Sequence, residues 1–170
     1  MNLAQALGLF FSFYASREGL GAGVPYPGSQ SAFNALYTNI SQTTLAHFQI
    51  YASLHSSLTN GETINIGDED SGVSWKQLWP DLASHFGLVG TEPNKSFNIS
   101  TYMQEHRDAW PEWVKKHGLK ESALEGTDFR FLTMIMGMAT FDRQYDLGKA
   151  RQMGFVERGV RWRGILRLLS

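Results

Sequence analysis

The spacing of apolar positions changes several times along the chain, and each change marks an element. Leu3, Ala6, Leu7, Phe10, Phe11, Phe13 and Tyr14 leave a helix apolar on nearly every side until Arg17, so that helix must be covered on more than one face. Gly19, Gly21 and Gly23 end it. Val24, Pro25, Tyr26 and Pro27 then predict an extended edge segment, because proline has no N–H to give to a ladder. Asn39 or Ser41 can cap a helix over 43–57, with Leu45, Phe48, Tyr51, Ala52 and His55 near one stripe. Thr63, Ile64 and Ile66, between Gly61 and Gly67, predict a short buried strand. An acidic, solvated turn follows at 68–72.

Ser74 stands three residues before Gln77, the spacing of a capping box. Trp75, Leu78, Trp79, Leu82 and Phe86 then recur at three and four residues, giving one apolar helix face that stops at Gly87. Pro80 either kinks this helix or begins its regular part. Further helices are predicted over 98–108, over 111–117 with Pro111 as a restart, and over 127–138 as a short buried segment. A short strand at Thr140–Phe141 and a polar helix ending at Gly154 complete the pattern. The sum is a helix-rich α+β chain with a few short strands.

The 170 residues suffice for one domain, 1–170. A net charge of −1 gives no basic excess for nucleic acid or an anionic membrane surface. The apolar run at 3–14 lacks a basic leader and is too short to span a bilayer, which predicts a buried helix. The absence of cysteine removes disulfides, thiolate metal sites and thiol nucleophiles together, and fits a cytoplasmic protein. The five histidines carry no close carboxylate or second-histidine spacing of a metal site, so no metal is expected.

The stretch from Asn65 to Leu88 has a further property. Asn65, Ile66, Gly67, Asp68, Asp70, Trp75, Lys76 and Trp79 reproduce, with one extra residue in the turn, a pattern of the progesterone 5β-reductase and iridoid synthase-like reductases, which are extended short-chain dehydrogenases, and the chain resembles the downstream, substrate-side part of that family, fungal type, from Met1 to about Phe155. The segment EGTDFRFLTMIMG and the segment KARQMGF are similar to elements of the same family. Residues 156–170, with Arg158, Arg161, Arg163 and Arg167, depart from it. The resemblance places the family's catalytic tyrosine and lysine before the point matching Met1. No glycine-rich strand–turn–helix fingerprint for a dinucleotide occurs, so no cofactor is expected. Tyr145 and Lys149 spell Tyr-x-x-x-Lys but align with a non-catalytic part of the family.

The resemblance implies an apolar substrate pocket in which Phe131 is a wall, with Met134 and Met138 following at helical spacing. Phe10, Phe13, Tyr14 and Tyr102 are further substrate-binding candidates, and His47 and Tyr51 are the catalytic candidates, His47 as an acid or base. Aromatics with flexible methionines suit a bulky hydrophobic small molecule. Three readings follow: a cofactor-independent cyclase or isomerase of secondary (terpenoid or polyketide) metabolism, a non-catalytic binding module, and a truncated NADPH-dependent enone reductase. A homodimer closing the face left by the missing Rossmann half is the expected assembly.

Overall fold

In the computed structural model, which describes residues 3–159, the aromatic run at the start forms α1 (Leu3–Glu18), the axis of the core. Ala6, Leu7, Phe10, Phe11, Phe13 and Tyr14 are all buried along it. Different neighbours cover different sides. Phe11 packs on Trp79 and Phe86, Phe13 meets Trp113 edge-on, and Phe10 lies among Tyr14, Phe97 and Tyr102.

The extended segment after α1 becomes β1 (Gly23–Pro25), which pairs in parallel with β4 (Val89–Thr91) in the register Val24 to Gly90. Between them run α2 (Gln30–Asn34), β2 (Leu36–Tyr37), α3 (Gln42–Leu54), α4 (Ser56–Thr59), β3 (Val73–Ser74) and α5 (Trp75–His85). Strands β2 and β3 make a second, antiparallel pair. The capping box of Ser74 and Gln77 is formed at the start of α5. Pro80 lies inside that helix, and β4 presses against it: a Cβ on Gly90 would stand 2.7 Å from Pro80 Cα and 2.8 Å from the Trp79 carbonyl oxygen. Only glycine allows this approach. The Trp79 indole donates to the Val24 carbonyl at 2.9 Å, tying helix to strand.

The remaining elements are helical: α6 (Ile99–Glu105), a 3₁₀ turn at Arg107–Ala109, α7 (Trp110–Lys116), α8 (Glu121–Glu125), α9 (Phe129–Met138) and α10 (Gly148–Gln152). Most of these follow the sequence pattern, and the molecule is mainly helical with a few short strands. No helix among the described residues is long and apolar enough to cross a membrane.

Three expectations are corrected. Residues 62–67 run without turn, bend or ladder, so Thr63, Ile64 and Ile66 form no strand with any of the described residues. Thr140–Phe141 is not a strand either; the pairing there is a single parallel bridge between Tyr37 and Arg143. The turn after Gly67 is not wholly solvated, because Asp68 is buried and accepts a hydrogen bond from the Ser41 hydroxyl at 2.9 Å. In α3 only Thr44 is buried; along the predicted stripe Phe48, Tyr51 and Ala52 are half-buried, and Leu45 and His55 are exposed. Arg158 pairs with Asp70 at 2.7 Å; Arg161, Arg163 and Arg167 lie outside the described residues.

Candidate functional site

Helix α9 is apolar on two sides. Asp128 caps it, its carboxylate accepting from the N–H groups of Arg130 and Phe131. Phe129, Leu132 and Met136 are buried and fasten it to the core. Tyr26 reinforces the attachment by donating its hydroxyl to the Met136 carbonyl at 2.6 Å, and the Ser100 N–H donates to the Thr133 hydroxyl. The outer side is apolar as well. Phe131, Met134, Ile135 and Met138 are 41, 47, 37 and 64% exposed, at the spacing i, i+3, i+4, i+7 that aligns side chains along one face. Phe141, just beyond the helix, is also exposed. A continuous apolar stripe in water has a free-energy cost that single exposed apolar residues do not. The sequence singled out Phe131, Met134 and Met138, and the structure brings them together. Ile135 completes the row; its spacing from Phe131 and Met138 was the available signal.

The other candidates lie elsewhere. Phe10 and Phe13 are fully buried and Tyr14 nearly so, which makes them core in this conformation. The Tyr14 hydroxyl donates to the Gly23 carbonyl. Tyr102 donates to the Glu18 carboxylate at 2.7 Å; burial first, then this bond, pushes its pKa far up, so it stays a donor. Burial likewise raises the Tyr26 and Tyr37 hydroxyls, with Arg143 opposing the rise. His47 and Tyr51 share α3. His47 faces the Glu157 carboxylate at 2.5 Å, and Tyr51 donates to the Met153 carbonyl at 2.5 Å. These partners belong to the segment around α10 and not to α9. Lys149 is held by Glu62 and the Thr63 carbonyl, while Tyr145 is exposed.

A depression of about 660 Å³ opens beside the start of α9, lined in part by Met103, Arg107, Trp110, Leu124 and Phe129. It includes none of the exposed stripe. Among the described residues no group of three or more histidines, aspartates or glutamates could hold a metal ion.

A family model described as a PRISE-like Rossmann-fold domain matches residues 1–161. The short chain dehydrogenase sirR of Leptosphaeria maculans is 34% identical over 91% of this chain and 41% of its own length. The 3-oxo-Δ(4,5)-steroid 5-β-reductase of Arabidopsis thaliana is 27% identical over 91% of this chain and 40% of its length. The (S)-8-oxocitronellyl enol synthase CYC2 of Camptotheca acuminata is 29% identical over 66% of this chain and 29% of its length. The chain therefore spans about two-fifths of the first of these relatives.

A Rossmann fold implies a dinucleotide, whose pyrophosphate needs free backbone N–H groups at a glycine-rich helix start. The glycines at 19, 21 and 23 do not fit that task. They follow a helix, and their donors are engaged: Gly19 N–H closes α1 on the Ala15 carbonyl and Gly21 N–H donates to the Gly87 carbonyl at 2.7 Å. Gly23 begins β1. The next helix, α2, has five residues and is capped by Ser29.

Proposed function

Because the chain belongs to the PRISE-like Rossmann-fold family, we propose that it is the substrate-side portion of an enzyme acting on apolar carbonyl compounds, and that the outer face of α9 is the wall on which such a compound lies. The observation that carries this reading is the exposed row Phe131, Met134, Ile135 and Met138. The relatives suggest the ligand class: one is named for a 3-oxo-Δ(4,5) steroid and another for an 8-oxocitronellyl enol. Both are apolar carbon frameworks with one or more oxygens. A flat aromatic and two thioethers suit such a framework, since methionine adapts its shape and Phe131 offers a rigid face.

The chemistry proposed for these residues is orientation. Held on the stripe, a flexible enone or enol is kept in one folded conformer, and cyclisation or isomerisation gains from lost rotational freedom alone. The side chains of the stripe carry no titratable group, so any acid or base comes from another surface that closes over it.

The test is binding of a 3-oxo-Δ(4,5) steroid to the purified chain by isothermal titration calorimetry, with and without NADPH. Binding unaffected by NADPH and weakened roughly tenfold or more by Phe131→Ser, the order expected for removing a buried aromatic contact, supports the proposal. Unchanged binding in Phe131→Ser and Met134→Ser overturns it.

A second reading has its own support. The unmatched three-fifths of the relatives and the unpaired segment 62–67 favour a reductase whose dinucleotide is held by a separate portion. Reduction of the steroid by NADPH only when that portion is present would distinguish it from cofactor-free turnover.

A further inference from the structure

The depression of about 660 Å³ opens where the apolar stripe of α9 begins. From α9 itself only the first residues, Phe129 and Arg130, line it. Arg130 is the link between the two surfaces. It precedes Phe131 and stands four residues before Met134, a spacing that sets two side chains next to each other on a helix. The stripe from Phe131 to Met138 runs about 10 Å along the helix axis, so the depression lies at its Phe131 end.

Two guanidiniums with unspent donors line the depression. Arg107 lies over the Trp110 ring, 5.8 Å from its centroid, and pairs with no carboxylate among the described residues. A guanidinium stacked on a ring keeps the N–H groups of its edge free to donate. The Arg130 side chain is 86% exposed, and its ion pair with Asp128 is 3.7 Å long, beyond hydrogen-bond reach. Asp128 itself accepts from the N–H groups of Arg130 and Phe131. The start of α9 is therefore already capped, and an arriving anion meets side-chain donors instead.

Charge decides which anion fits. Glu125 and Asp128 also line the depression, so two negative side chains offset the two positive ones. A doubly charged phosphate is not compensated in such surroundings. A carboxylate brings one charge and two coplanar oxygens, which match the guanidinium fork. Resting on the α9 stripe as ligand wall, we infer that Arg130 and Arg107 hold the carboxylate of a ligand whose apolar framework lies along that stripe. The substrate class narrows to oxo acids. Arg130 also sets direction: with the carboxylate at the Phe131 end, the far end of the framework, with its carbonyl, lies toward Met138.

The test titrates the full chain, at low salt, with a 3-oxo-Δ(4,5) steroid bearing a carboxylate on its D ring and with the methyl ester of the same compound. Calorimetry reads affinity; the ε-methyl signals of Met134 and Met138 and the indole N–H signal of Trp110 read location. Both compounds are expected to move the two methyl signals, and only the acid to move the Trp110 indole. The acid should bind about five- to tenfold more tightly, the order for a charge-assisted pair at a partly open site. Arg130→Gln brings the acid down to the affinity of the ester, and Arg107→Gln reduces the preference. Both arginines are exposed, so the fold is kept. Arg130→Lys, which keeps the charge without the fork, recovers part of the preference. Equal affinities for acid and ester, or a preference that survives the double variant Arg130→Gln with Arg107→Gln, overturns the inference and leaves the α9 wall standing. Stripe methyls that respond to neither compound overturn the wall, and the carboxylate site with it.

Discussion

Tyr26 shows how one side chain joins distant parts of the chain. Its ring packs on Phe33 and Trp79, and its hydroxyl reaches across 110 positions to the Met136 carbonyl. Tyr26→Phe leaves that carbonyl without its donor in a buried place and is expected to lower stability by about 1–2 kcal/mol, read from the urea midpoint. Asp128 acts at the opposite end of α9. Hydrogen bonds from the Phe131 and Arg130 N–H groups, with Arg130 beside it, hold its pKa below the ordinary 3.8. A depressed carboxyl contributes stability that is present above the unfolded value and is lost as pH falls through the folded one. The difference in melting temperature between the native chain and Asp128→Ala should therefore be constant near neutrality and vanish in strong acid. Neither role was visible in the sequence. Asp128 precedes the helix without a capping-box partner at the right spacing, and a contact 110 residues apart leaves no local trace.

At the scale of elements, α1 and α5 were legible because their apolar residues have one place to go. A helix apolar all round must be enclosed, and the tryptophan face of α5 must meet it. The run at 62–67 misled for a physical reason: β-branched residues state a preference, but a strand exists only with a partner. Helix α9 misled in the opposite direction. Its composition reads as buried, yet one of its two apolar faces is open. Glycines separate packing from propensity here. Gly90→Ala forces a Cβ against Pro80 and the Trp79 carbonyl, and overpacking of this kind costs about 1–3 kcal/mol. Gly137→Ala meets nothing within 4 Å and replaces a poor helix former within α9, so a gain of about 0.5–1 kcal/mol is expected. Paired urea titrations of the two variants check the opposite signs.

At the scale of the whole molecule, exposed apolar side chains among the described residues gather on α9, at Phe131, Met134, Ile135 and Met138, and on α3 and α4, at Ile50, Leu54 and Leu58. The surface on α9 is the one proposed above for substrate. The candidate site was partly legible, because Phe131, Met134 and Met138 keep helical spacing. Phe10 and Phe13 share the same chemistry, and only the fold shows that Phe13 is packed on Trp113 of α7 and Phe10 in the aromatic cluster around Tyr102.

The most direct measurement is methyl NMR of the methionines, labelled at the ε-carbon, during titration with a 3-oxo-Δ(4,5) steroid. Met134 and Met138 stand on the exposed stripe, while Met103 and Met136 are buried, so the probes for site and core are built in. Saturable shifts of the Met134 and Met138 methyls, with Met103 and Met136 little changed, are the predicted result. Shifts confined to Met103 and Met136, or none at any methyl, would contradict the assignment of α9 as the ligand wall.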